Sequence, residues 1–280
     1  MTDGGGPIRG SDPIRGFRVI DFHTHAFPDD LADRAIAALE AEAAVEALLD
    51  GRVSSLLATM NRAGIARSVV ASIATRPEQF ASILDWSSRI ASDRLIPFAS
   101  IHPDDPDALE HVDEVRDRGV RGIKIHPYYQ GFVLDDRRMF PLYERVQELG
   151  LVLLIHAGFD IAFERRRIAD PVRIRRVVEA FPGLGLVAAH FGAWQDWDEM
   201  ERHILGRPIY IDISYSMEFM EPGRAGLILR EHPEDRLLFG TDSPWGDQAE
   251  TLAALSRIEL DEGRRSALLF ENAERLLGLT

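Results

Sequence analysis

From Phe17 to the C-terminus, short apolar runs rich in Val, Ile and Leu alternate with longer stretches in which apolar residues recur at helical spacing. The runs predict strands at Phe17–Phe22, Ala66–Ser72, Leu95–Ile101, Val120–Ile125, Leu151–Ile155, Gly185–Ala189, Pro208–Ile213 and Arg236–Gly240. The periodic stretches predict helices at Leu31–Leu49, Pro77–Ala91, Asp107–Arg118, Met139–Leu149, Pro171–Ala180, Trp197–Leu205, Glu221–Glu231 and Gln248–Leu255. Two closing helices follow near Glu262–Phe270 and Asn272–Leu277. Continuous rather than alternating apolar runs mean strands buried on both faces, as in a parallel sheet covered by helices. Eight strand–helix units in about 260 residues match an α/β fold of the (β/α)8 TIM-barrel type, one domain over residues 17–280. An open doubly wound sheet would place a glycine-rich phosphate turn after the first strand, where this chain reads DFHTHAFP. Residues 1–16, with a glycine run and the duplication GPIRG/DPIRG, read as a flexible arm.

Composition removes whole classes of function. The chain of 280 residues is 45% apolar and 28% charged, which suits a packed globular core rather than disorder. Its net charge of −14 argues against nucleic acid or an anionic membrane as the main partner, because both need a basic footprint. No apolar run reaches the roughly 20 residues of a membrane-spanning helix, and the N-terminus lacks a signal-peptide core, so a cytoplasmic protein is expected. There is no cysteine, which leaves imidazole and carboxylate as the metal-binding chemistry.

In a barrel of this kind, the site is built at the C-terminal ends of the strands. His23 and His25 end the first strand two residues apart, a spacing that turns both imidazoles to one side. Lys124 and His126 have the same spacing on the fourth strand, His156 ends the fifth, His190 the sixth, and Asp242 follows the eighth. Singly, each of these is as readily a hydrogen-bonding or capping residue as a ligand. Five of nine histidines on one rim is a placement, and His102, His111, His203 and His232 are left as structural. His23, His25, His156 and Asp242 would form a nitrogen and oxygen site suited to one divalent ion, with zinc first and manganese, iron or cobalt as alternatives. Beside such an ion Asp242 could accept a water proton, and His190 could polarise a substrate oxygen or protonate a leaving group.

The segments VIDFHTHAFP, GIKIHP, IHAGF, AHFG and FGTDSPWG, in this order, resemble the amidohydrolase superfamily, and in particular the amidohydrolase-related (amidohydrolase 2) branch that includes aminocarboxymuconate-semialdehyde decarboxylase. The likeness runs from Phe17 to the closing FENAERLLGL. It implies His23, His25, His156 and Asp242 as metal ligands and His190 as the catalytic histidine beside the ion. In binuclear branches a lysine at the end of strand four is carboxylated. Lys124 is the candidate for that role here, but it precedes the strand end, which favours a lysine buried in the barrel interior or a substrate contact together with His126. Decarboxylases of the branch often carry Gly-Glu after the sixth-strand histidine, whereas here His190 is followed by Phe191-Gly192-Ala193.

The expectation is therefore a metal-dependent hydrolase of a small, carboxylate-bearing amide, ester or lactone. The alternative is a non-oxidative decarboxylase of an aromatic or unsaturated acid, and a third reading is a barrel that binds without catalysing. Arg165, within Phe163-Glu164-Arg165-Arg166-Arg167, is a candidate for a substrate carboxylate, although an exposed arginine run is commonly a solvated face. Tyr128 and Trp245 are candidates for the walls of a pocket for a planar acid. Relatives are often homodimers, and the helices between Leu31 and Met60 form an insertion placed to cap the site or meet a partner subunit.

Overall fold

A computed structural model describes residue 14 and residues 16–279, so the arm expected at 1–16 lies almost wholly outside the described residues. Eight strands follow the predicted order: β1 (Ile20–Thr24), β2 (Arg67–Ala71), β3 (Leu95–Phe98), β4 (Gly122–Ile125), β5 (Val152–Ile155), β6 (Gly185–Ala188), β7 (Tyr210–Asp212) and β8 (Leu237–Leu238). All pair in parallel, in two ladders, β1-β2-β3 and β4 to β8 in sequence order. Single bridges rather than ladders join the two: Ala99 with Ile123 between β3 and β4, and Thr24 with Ser243 between β8 and β1. The second seam is irregular: β8 ends at Leu238, and beyond it Asp242 takes a left-handed conformation, φ 65°.

Helices α1 (Asp29–Ala43) and α2 (Val53–Ala63) both lie between β1 and β2. The periodicity predicts one helix to Leu49, but Ala44 adopts φ 53° and ends α1 there. The remaining helices are α3 (Phe80–Ile90), α4 (Ala108–Asp117), α5 (Phe140–Glu148), α6 (Pro171–Ala180), α7 (Trp197–His203), α8 (Pro222–Glu231), α9 (Gln248–Ser256), α10 (Glu262–Ser266) and α11 (Asn272–Leu276). Their starts are set by side chains as well as by pattern. Asp170 accepts from Val172 N ahead of Pro171, and Asp247 accepts from Ala249 N and Glu250 N, each satisfying amides that a helix N-terminus leaves free. In α6, Pro171, Ile174 and Val177 form the buried stripe that packs inward.

Two apolar cores result. Phe22, Val69, Phe98, Leu154 and Val187 pack with one another, while Ile123, Ile125, Leu153, Ile155 and Leu186 pack with the helices. Leu154 pairs directly with Lys124, which places Lys124 on the Phe22 and Phe98 side of the sheet, inside the barrel. Gly122 is required there, since a Cβ would lie 2.5 Å from the Phe98 ring. Between Asp21 and Thr24 the register of β1 against β2 shifts, so that three steps on one strand meet two on the other. This bulge lets neighbouring residues Phe22 and His23 both face inward, while Asp21 turns to Gln248 of α9.

Candidate active site

Asp242 stands at the centre of the strand-end cluster. Its Oδ1 lies 3.1 Å from His25 Nε2 and 3.3 Å from His23 Nε2. His25 Nδ1 donates to the Ala71 carbonyl at 2.7 Å, which leaves the Nε2 lone pair of the neutral ring pointing at a carboxylate oxygen. Two acceptors facing one another call for a cation between them. The same conflict recurs nearby: His156 Nε2 donates to Phe159 O at 2.9 Å, so its Nδ1 lone pair faces His190 Nε2 at 3.1 Å. A divalent ion would resolve the first, since the ligand atoms of His23, His25 and Asp242 all lie within 4.8 Å of one another. The donor set therefore fits a divalent metal.

The electrostatics point the same way. Burial, followed by the ammonium of Lys124, holds His23 well below its ordinary pKa. Burial, then the His126 ring beside it, lowers His156 to about 3, and burial with His156 lowers His190 to about 4. These rings are neutral at pH 7, the form that ligates. Burial would raise Asp242, but the surrounding imidazoles outweigh it and hold the carboxyl well below the usual range. Lys124, the single lysine of the chain, is 1% exposed with Nζ 3.0 Å from His23 Nε2. Burial brings it down to about 8.

His156 does not join the first group directly. It stacks on His126 with ring centroids 4.2 Å apart, and His126 Nε2 lies 3.3 Å from Asp160 Oδ2. His126, His156 and Asp160 thus make a second buried cluster beside the first. His190 and Asp242 both hold positive φ, 62° and 65°, which costs a non-glycine residue about 1–2 kcal/mol and is concentrated at functional sites.

Tyr128 is buried, and its hydroxyl donates to Arg166 O. Its ring meets Phe163 at 5.5 Å, Tyr129 meets Phe163 edge-on at 4.9 Å, and in a second group Trp194 meets Tyr215 at 5.3 Å and Phe219 at 4.8 Å. Trp245 is half-buried, its backbone N–H on Asp242 O at 2.9 Å. Arg165 is exposed, bonded to Gln195 and lying 4.9 Å over the Phe159 ring. Arg167 is paired with Asp196 at 2.7 Å and is committed structurally.

Sequence reasoning missed Asp21, Asp160, Asp212 and Ser214. Asp21, pushed up to about 7 by burial, accepts from His23 N, Thr241 N, Thr241 Oγ1 and Gln248 Nε2, tying β1 to the segment that carries Asp242. Asp212 Oδ2 lies 3.0 Å from His23 Nδ1. A carboxylate ending a strand, as in IDIS, was the available signal for Asp212. The four remaining histidines are bonded in the scaffold: His232 to Ile209 O, His111 to Asp105, His203 to Glu199, and His102 to Asp104 N.

A profile of the amidohydrolase family matches residues 20–279. The chain belongs to the amidohydrolase family. No curated protein matches the sequence of this amidohydrolase. Among solved structures it is similar to an uncharacterised TIM-barrel protein from Bordetella bronchiseptica, with 21% identity, TM-score 0.74 and coverage of 93% of this chain and 98% of that one. It is also similar to 2,6-dihydroxybenzoate decarboxylase from Rhizobium, with 17% identity, TM-score 0.70 and coverage of 94% and 99%. A third is 5-carboxyvanillate decarboxylase from Novosphingobium aromaticivorans, complexed with manganese and 4-hydroxy-3-methoxy-5-nitrobenzoic acid, with 16% identity, TM-score 0.71 and coverage of 96% and 97%. These likenesses establish the (β/α)8 barrel for this amidohydrolase. No helix among the described residues is long and apolar enough to cross a membrane.

Proposed function

We propose that this amidohydrolase is a metal-dependent, non-oxidative decarboxylase of an aromatic carboxylic acid. The observation that carries the reading is the row of aromatic rings set against the buried histidines: Tyr129 edge-on to His126 at 4.8 Å, Tyr128 edge-on to His156 at 6.1 Å and Trp194 edge-on to His190 at 6.4 Å. Aromatic faces beside the donors suit a planar ring and would keep water from the reacting carbon. Manganese-bound decarboxylases of aromatic acids on the same fold support it. On this reading decarboxylation takes precedence over the hydrolysis expected from sequence, and manganese stands beside zinc as the candidate ion.

His23, His25 and Asp242 would hold the ion, with His156, which sits in the neighbouring cluster with His126 and Asp160, proposed as a fourth ligand. When bound, it would supply a Lewis-acid anchor for the substrate carboxylate and for negative charge on the ring. The reaction replaces the ring-to-carboxylate C–C bond by C–H, so one proton must reach the carbon and no water is consumed. His190 and Asp242 are the buried groups at the strand ends placed to carry it. The Lys124 ammonium provides the positive charge that faces the substrate, with His126 beside it, and Arg165 stands at the rim for a second anionic group. Ala193 in place of the acidic residue of related decarboxylases favours hydrolysis as the second reading.

The test is a panel of hydroxybenzoates together with carboxylated lactones and amides, recording CO2 and acid release separately. Decarboxylation predicts CO2 release that stops on chelation and falls by at least about 10³-fold in Asp242→Asn, the scale of losing a group that moves the reacting proton. Acid release from a lactone or amide without CO2 would refute it.

A further inference from the structure

A carboxylate and the hydroxyl bound to it stand behind two of the imidazoles in the site. Asp212 Oδ2 lies 3.0 Å from His23 Nδ1. Its Oδ1 accepts from His190 N at 3.1 Å, from Ser214 N at 3.0 Å and from the Ser214 hydroxyl at 2.5 Å. With its proton committed to Asp212, Ser214 Oγ can only accept from the two ring nitrogens it touches, His23 Nδ1 at 3.0 Å and His190 Nδ1 at 3.1 Å. His190 Nδ1 also lies 3.1 Å from the Ser214 carbonyl, again an acceptor. Every neighbour of both Nδ1 atoms therefore accepts, and both must carry the ring proton. Their lone pairs are left on Nε2, which in His23 accepts from Lys124 Nζ at 3.0 Å and faces Asp242 at 3.3 Å, and in His190 faces His156 at 3.1 Å.

We infer that Asp212 and Ser214 form a tautomer lock, a positioning pair that holds the Nε2 lone pairs of His23 and His190 toward the centre of the site at once. The reading rests on the metal site proposed above, since a locked Nε2 lone pair serves an ion. Asp212 is buried at the end of β7, and its bond to His190 N also holds the left-handed backbone of His190. A carboxylate behind a ligating histidine fixes the tautomer and raises ligand basicity, and its loss costs about 10–100-fold in metal affinity. Here the carboxylate does this directly for His23, a candidate ligand, and through the Ser214 hydroxyl for His190, the candidate catalytic residue.

Asp212→Asn tests the lock with almost no change of shape. Three donors converge on Oδ1, so the amide oxygen must take that place and the amide NH2 must face His23 Nδ1. A donor there drives the His23 proton to Nε2 and removes the lone pair. Long-range 1H–15N spectra of the metal-free wild type are expected to show His23 and His190 as Nδ1–H tautomers, and D212N to show His23 as Nε2–H. Mn2+ affinity, measured by chelator competition, is expected to fall about 10–100-fold in D212N. Ser214→Ala keeps the Asp212–His23 bond and the Ser214 carbonyl, so it is expected to lose less than D212N. Nε2–H tautomers in the wild type, or a D212N protein with unchanged His23 tautomer and unchanged Mn2+ affinity, would overturn the lock. If D212N does not fold, the wild-type tautomers alone decide. A wild type that binds no Mn2+ or Zn2+ defeats the metal reading instead, and the tautomer spectra still decide the lock.

Discussion

Gly158→Ala is the most searching perturbation of this site, because it adds one methyl group where two catalytic loops touch. Gly158 follows β5 with φ +88°, and a Cβ built on it would lie 2.2 Å from Trp194 N and 2.5 Å from both Ala193 C and Trp194 O. Ordinary contact begins near 3.4 Å, so the loops after β5 and β6 must part by roughly 1 Å, against backbone that has no rotamer to yield. The bonds that join them, Trp194 N to Ala157 O at 2.7 Å and Phe159 N to Trp194 O at 2.9 Å, would be stretched or lost. At about 0.5–1.5 kcal/mol for each bond and about 1–2 kcal/mol for the left-handed alanine, the cost is about 2–5 kcal/mol. For a chain of this length that lowers Tm by roughly 4–10 °C. The functional loss should exceed the loss of stability. His156 and His190 lie just before the two loops and face one another at 3.1 Å, and a 1 Å misplacement costs about 10²-fold in turnover. Thermal unfolding and kcat/KM on the folded variant measure the two separately. A variant with wild-type Tm and wild-type turnover would show that the close approach of Gly158 to Trp194 positions nothing.

Two further outcomes follow from other parts of the molecule. His232 is buried with Nε2 on Ile209 O at 2.8 Å, and burial lowers its pKa to about 4. A depressed folded pKa gives stability that is complete above the unfolded value near 6.5 and lost as pH falls toward 4, roughly 2–3 kcal/mol for this group. Denaturant titrations from pH 8 to 4 should therefore show a decline that flattens in His232→Gln, and identical profiles would contradict it. Lys124→Arg keeps the charge but places a larger fork in a position that is 1% exposed, so turnover should collapse and stability fall by about 1–3 kcal/mol through overpacking. Full activity in K124R would mean that charge alone is needed there.

The rim of histidines was legible in the chain because strand ends are legible. Val, Ile and Leu runs mark where each strand stops, and His23, His25, His156, His190 and Asp242 stand at those stops. Spacing could not show which of them meet. His156 and His126 read as members of different groups, a ligand and a substrate contact, yet the fold stacks their rings and sets Asp160 against both. The roles of Asp21 and Asp212 are not legible in the chain, because a buried carboxylate's part is defined only by the donors that satisfy it, and these come from residues as distant as Thr241, Gln248 and His23.

What the sequence determined by itself is local in origin: eight apolar runs, the helical stretches between them, the absence of thiol ligands, and the family likeness carried by five short segments. Periodicity and composition act on neighbours in the chain, so they are readable without coordinates. Tertiary structure decided the rest. The bulge that turns His23 inward beside Phe22 depends on the register of β1 against β2, and the left-handed turn at Asp242 depends on the seam with β1. The proton positions on His23 and His190 depend on Asp212 and Ser214, which belong to another strand. Hydrogen bonds of about 3 Å reach no farther than the next side chain, so which residues they join is set by how the strands are arranged around the barrel.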